Sequence, residues 1–297
     1  MTSASIVQFI VAGITVGTVY ALVGLGFNLI FNATDVINFA QGEFVMLGGV
    51  IAAVAIGGYA LPTWLGVAVA IAAVALLALL LDVAAISRVH RGSVMTLVII
   101  TLGVSVVLKT GTLLMVGPDP LYFQPFTAGQ PLHVLGAVVQ TQALWLVGIA
   151  AVVVVSLEVF YGRMPLGREM LACAIDREAA MLMGIDVRAM VRLGFVLSGA
   201  LGALAGALVT PLSNATYDEG FTLALKGFAA AALGGFGRGT SAILGGLVLG
   251  LIEAGSVAVL PSGWKDSTAL ALLIVVLMIW PSGLLGGRQE RRHTASM

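Results

Sequence analysis

The sequence predicts an all-α, polytopic membrane protein, and three observations carry that prediction. Of its 297 residues 60% are hydrophobic and only 9% charged, where a soluble domain carries about a quarter of its residues as charges. Uncharged apolar runs long enough to cross a bilayer recur along the whole chain. Lysine and arginine gather in some of the intervening loops and avoid others, which is the pattern of cytoplasmic against external loops.

The runs follow in order. Ile6 to Phe31 is uncharged, and Trp64 to Leu81 is almost purely aliphatic and stops at Asp82. Val94 to Leu108 stops at Lys109, and Ala143 to Leu157 stops at Glu158. Ala189 to Val209 contains only Arg192, Ser241 to Leu260 only Glu253, and Ser267 to Leu285 no charge. Two further segments, Phe39 to Ile56 and Phe221 to Phe236, are short or glycine-rich and contain a charge. The total is eight or nine spans in one domain over 1–297, with these two short, broken or re-entrant.

Basic residues orient the spans. Arg88 and Arg91 mark one cytoplasmic loop, and Arg163, Arg168, Arg177, Arg188 and Arg192 a longer one over 163–192. Arg288, Arg291 and Arg292 place the C-terminus inside. Loops 117–141 and 212–220 hold no lysine or arginine and face outward. Nine crossings put the N-terminus outside; one re-entrant segment would move it inside.

The same composition narrows function. Fourteen basic and fourteen acidic residues give no net charge, which argues against nucleic acid as a partner. The single Cys173 excludes an internal disulfide, and His90, His133 and His293 are too scattered to suggest a metal. No cofactor is implied. The first apolar run lacks the basic start of a cleavable signal. Gly-x-Ser-x-Gly and His-Glu-x-x-His are absent, so no enzyme chemistry is expected. The glycine cluster 234–241 lacks the lysine of a phosphate loop and reads as a tight turn.

Polar residues at membrane depth are the candidates for a site, because charge there faces a cavity or a partner. Asn38, Gln41 and Glu43 surround Gly42 in the first short segment and are expected to line a translocation path at a helix break. Lys226 and Glu253 are placed with them, balanced against a structural role; Lys109 and Glu158 are expected to reach toward span ends. Gly13/Gly17, Gly202/Gly206 and Gly246/Gly250 have close-packing spacing and are taken as general packing. Asn32-Ala33-Thr34 and Asn214-Ala215-Thr216 each precede one of the short segments, as an inverted repeat would arrange.

One cytoplasmic stretch stands apart: Asp176, Arg177, Glu178, Ala179, Ala180, Met181, Leu182, Met183 and Gly184. Asp176 suits an N-cap, Glu178 the positive end of a short helix, and Gly184 its close. A helical knob with a methionine-rich tip fits a groove in another protein; an ordinary connector fits the residues equally well.

Resemblance separates these readings. Glu178-Ala179-Ala180-x-x-x-Gly184 resembles the coupling signature of bacterial ABC-importer permeases, which implies docking on an ATPase subunit. The run from Gly17 through Tyr20-Ala21-Leu22 and Leu25-Gly26-Phe27, then Ile37-Asn38-Phe39-Ala40-Gln41-Gly42-Glu43-Phe44, closely resembles the H-subunit family of Liv-type branched-chain amino-acid permeases. Lys226-Gly227-Phe228-Ala229-Ala230-Ala231, Gly245-Gly246 with Glu253, and Pro281-x-Gly283-Leu284 follow the same pattern. Gln41 departs from it, standing where the family usually has histidine. The resemblance implies a multi-pass inner-membrane permease subunit importing leucine, isoleucine, valine or a near relative. It further implies a second homologous permease subunit or a homodimer, two cytoplasmic ATPase subunits that hydrolyse the ATP, an external binding protein and surrounding lipid. A same-family permease for urea, short amides or small carboxylates is the alternative, and a stand-alone ion-coupled carrier the rival class. The substrate carboxylate is expected to meet backbone N–H groups at broken-helix ends, with selectivity left to the binding protein.

Overall fold

The protein was analysed as a computed structural model that describes residues 3–34, 36–88, 94–127, 129–134, 136–236, 239–258, 261, 263, 265–279 and 283. Arg91, His90, His293, Trp280, Pro281, Leu284 and the arginines at 288, 291 and 292 lie outside these residues.

Helix dominates because an apolar chain in lipid must satisfy its backbone within each segment. In order the helices are α1 Ser3–Thr34, α2 Gln41–Ala53, α3 Thr63–Leu81, α4 Val94–Val116, α5 Thr141–Arg163, α6 Pro165–Ile175, α7 Arg177–Leu182, α8 Val187–Ser213, α9 Glu219–Gly234, α10 Gly239–Ser256 and α11 Lys265–Ile279. Helices α2 and α3 continue as π-helical turns over Val54–Gly58 and Asp82–Ile86. Six of the helices, α1 to α5 and α8, are long and apolar enough to cross a membrane, counting those extensions. Helices α9, α10 and α11, with 16, 18 and 15 residues, are shorter. Among the described residues two strands form a hairpin, β1 Leu132–Val134 paired antiparallel with β2 Ala137–Val139, with Gly136 at φ 84° in its turn. An isolated antiparallel bridge, Leu121 to Ala215, ties the link after α4 to the link after α8.

Glycine sets how the helices meet. On α1, a Cβ at Gly17 would strike the backbone of Gly246 and Leu247 on α10, and Gly13 lies against Gly250 and Leu251. Gly202 and Gly206 of α8 press on Phe44, Val45 and Gly49 of α2, and Gly199 on Val74 and Ala78 of α3. These pairs are therefore specific backbone contacts, which corrects the expectation of general packing. In lipid such contacts supply the dispersion energy that holds helices together, since apolar side chains gain little by leaving an apolar solvent. Around them Leu22, Phe27, Leu29, Leu146, Leu208, Leu233 and Leu249 form the main core.

The helices form two interleaved sets. Helix α1 packs on α8, α9 and α10, while α8 packs on α1, α2 and α3. The two short helices α2 and α9 touch each other between these sets. Exchanging α1 with α8, α2 with α9 and α3 with α10 returns the same pattern of neighbours.

Candidate functional site at the break between the first two helices

Helix α1 ends at Thr34, whose hydroxyl donates back to the Ile30 carbonyl and accepts from Val36 N–H. Residues 36–40 are not helical, and α2 starts at Gln41. The discontinuity expected at Asn38–Glu43 is present, and all three polar side chains in it are buried.

Each has a different surrounding. Asn38 Oδ1 accepts from Ala40 N–H at 3.1 Å, fixing the turn into α2. Gln41 is held by α8: its amide donates to the Ser198 carbonyl, and the Ser198 hydroxyl bonds Gln41 Oε1 while lying 2.8 Å from the Gly26 carbonyl of α1. Glu43 reaches α4, where Ser105 Oγ donates to its Oε1 at 2.9 Å. Its second oxygen, Oε2, and Asn38 Nδ2 are buried and make no hydrogen bond among the described residues. Gly42 lies against the Gly220 carbonyl and Ala224 of α9, and a Cβ on Gly220 would strike the Glu43 carboxylate. The first turns of α2 and α9 therefore meet at two glycines beside one carboxylate.

Lys226 and Glu253 are in a second cluster. Lys226 Nζ lies 3.0 Å from Glu253 Oε1 and 3.0 Å from Tyr20 Oη, and Tyr20 Oη donates to Glu253 Oε2 at 2.8 Å. The cation also stands 5.3 Å from the Tyr20 ring. This triad locks α9 and α10 to α1 and is buried throughout. The sequence reading grouped all six residues on one path; the structure divides them into these two clusters.

Several contacts around the break were not legible in the sequence. Thr101, Ser105, Lys109 and Thr112 recur on α4 at spacings of three and four, which is the mark of one helical face. Thr101 Oγ1 accepts from Phe39 N–H in the break. Lys109 lies seven residues before the end of α4 with Nζ 5.8 Å from the Tyr217 ring; Glu158 is exposed on α5. Asp82 is buried at the π turn after α3, 3.8 Å from Arg192. Tyr20 stood out only as part of the family-like run, and Ser198 carried no sequence signal.

The segment 176–184 has its own geometry. Asp176 caps α7, accepting from Glu178 N–H and Ala179 N–H at 2.9 Å each. Gly184 closes it at φ 85°, and Ala180 is buried beneath. Leu182 and Met183 are 88% and 83% exposed, so the tip of this knob is apolar and uncovered. Beside it lies a cavity of about 490 Å³ lined by Asp82, Leu97, Arg177, Glu178, Met181 and Arg188 among others.

A bundle of membrane-length helices, with two short helices meeting inside it over buried polar groups, defines a polytopic membrane protein. The chain belongs to the family described as "Branched-chain amino acid transport system / permease component", which matches residues 9–279. It is 31% identical over 289 residues to the high-affinity branched-chain amino acid transport system permease protein LivH of Escherichia coli (strain K12), covering 92% of this chain and 93% of that protein. It is 31% identical over 292 residues to the corresponding permease protein BraD of Pseudomonas aeruginosa, covering 94% and 95%. Among solved structures, PsaBC from Streptococcus pneumoniae in complex with Fab is similar over 96% of this chain and 94% of that chain, at 17% identity and a TM-score of 0.49.

Proposed function

We propose that this chain is the membrane-spanning permease subunit of an ATP-driven importer of branched-chain amino acids in the plasma membrane, the inner membrane of a bacterium. The observation that carries the proposal is the family match along nearly the whole chain, with relatives of equal length named as branched-chain amino acid permeases. The chain pairs with a homologous permease or a second copy of itself. Two cytoplasmic ATPase subunits supply the energy, and an external binding protein delivers the cargo. Helices α9, α10 and α11 complete nine membrane segments, α2 and α9 being the broken pair. The symmetry of neighbours between α1–α3 and α8–α10 supports an inverted repeat, with its two short helices meeting at the membrane centre. Asn38, Gln41, Gly42 and Glu43 line the path at that junction.

Asp176–Gly184 is the ATPase dock. A capped, glycine-closed helix with an exposed Leu182-Met183 tip presents a rigid apolar knob to a groove. The double substitution Glu178→Arg with Gly184→Leu is expected to abolish co-purification of the ATPase while the permease still inserts, because leucine is strained at φ 85°. Undiminished co-purification would refute the docking assignment.

A further inference from the structure

Helix α4 is attached to the bundle by a polar seam. Its apolar residues Met95, Ile99, Val106, Val107, Leu114 and Met115 are exposed, whereas Thr101, Ser105 and Thr112 are buried. Lys109 falls on that same face, one turn beyond Ser105. The seam closes on the helix break: Thr101 holds Phe39 N–H and Ser105 holds Glu43 Oε1.

Two opposite charges lie on this seam without pairing. Glu43 is 1% exposed, and its Oε2 has no hydrogen-bond partner among the described residues. Lys109 lies on the same face, but no ion pair joins it to Glu43 among the described residues. Instead the Lys109 ammonium rests beside the Tyr217 ring. By contrast, Lys226 and Glu253 pair directly at 3.0 Å. Carboxylate and ammonium held apart in a medium of low dielectric forgo a large attraction, and a molecule carrying both charges recovers it.

We propose that Glu43 and Lys109 form a recognition site for the charged ends of an α-amino acid, Glu43 Oε2 taking the ammonium group and Lys109 the carboxylate. The proposal rests on the reading of this chain as an amino-acid importer and names the residues that recognise the cargo. The ammonium nitrogen and carboxyl carbon of such a zwitterion lie about 2.5 Å apart on one carbon. With charge-assisted hydrogen bonds of about 2.8 Å at each end the whole spans roughly 8 Å. Ser105, which holds Glu43 Oε1 at 2.9 Å, precedes Lys109 by one turn of α4, so both residues belong to the same face beside the break. At the start of α2 the N–H groups of Ala40, Gln41 and Glu43 bond to Asn38 Oδ1, Asn38 O and Ala40 O. An uncharged amide would make hydrogen bonds here without the charge–charge attraction a zwitterion adds.

The test uses the complete importer, with its partner permease, ATPases and binding protein, in proteoliposomes with labelled leucine. The quantity read is leucine imported per ATP hydrolysed. Glu43→Gln and Lys109→Met are each expected to lower that ratio about tenfold or more, the worth of one hydrogen bond to a charged group. The double variant is expected to fall below either single one, and Lys109→Arg, which keeps the cation, to stay near the unsubstituted ratio. A purely structural role would lower import and hydrolysis together and leave the ratio unchanged, which would overturn the proposal. So would a Lys109→Met importer with full coupling, or a double variant no worse than the singles. If Glu43→Gln fails to assemble, the two Lys109 variants decide alone, since that side chain is only partly buried. Failure of the unsubstituted importer to take up leucine is seen before any variant and overturns the importer reading itself.

Discussion

The two polar clusters inside this bundle are built on opposite terms. At Tyr20–Lys226–Glu253 the charges face each other directly, and the tyrosine hydroxyl bridges them. At Asn38–Glu43 the groups are equally buried, yet Glu43 Oε2 and Asn38 Nδ2 are left without hydrogen bonds among the described residues. A closed network fixes helices, here α1, α9 and α10. An open one, placed where two short helices meet, holds hydrogen-bonding capacity that the described residues do not use. The difference teaches that burial of a polar residue in a membrane protein does not by itself mark the transport path, since a closed, helix-locking triad is buried just as deeply.

Removing one half of the closed cluster gives the largest expected effect. Lys226→Met leaves Glu253 as a buried charge stripped of its cation, and loss of one partner of a buried pair costs about 3–5 kcal/mol. Thermal unfolding in detergent should show a large drop for Lys226→Met and for Glu253→Leu, with much of it recovered when both are combined. Two single variants as stable as the parent would show that the triad does not hold the helices. A smaller effect is expected at the open cluster. Ser198→Ala removes the hydroxyl that bonds Gln41 Oε1, and a buried group losing its partner costs about 1–3 kcal/mol. The same unfolding measurement should rank Ser198→Ala below Lys226→Met, and the reverse order would break the contrast drawn between the clusters.

Much of this molecule was legible in its sequence because lipid imposes simple rules. Apolar runs placed the long helices, and the short charged segments at Phe39–Ile56 and Phe221–Phe236 became the two buried short helices α2 and α9. Asp176 and Gly184 were readable as cap and close since both act on their own neighbours in the chain. What could not be read was pairing at long range. Lys226 finds Tyr20 and Glu253, 206 and 27 residues away, and Gln41 finds Ser198 157 residues on. The glycine motifs were visible, but their spacing does not say that Gly13 and Gly17 meet α10 while Gly202 and Gly206 meet α2. The π turns after α2 and α3 and the hairpin between α4 and α5 left no periodicity to detect.

The central claim is that this chain carries branched-chain amino acids inward at the expense of ATP. The most direct measurement is uptake of labelled leucine, isoleucine and valine by cells lacking this chain, with and without its restoration and with urea and short amides as controls. The account predicts that uptake of the three amino acids is lost, returns with the chain, and is abolished by the docking substitutions Glu178→Arg with Gly184→Leu. Uptake that persists without the chain's ATPase partners, or restoration of urea or amide uptake in place of the amino acids, would contradict it.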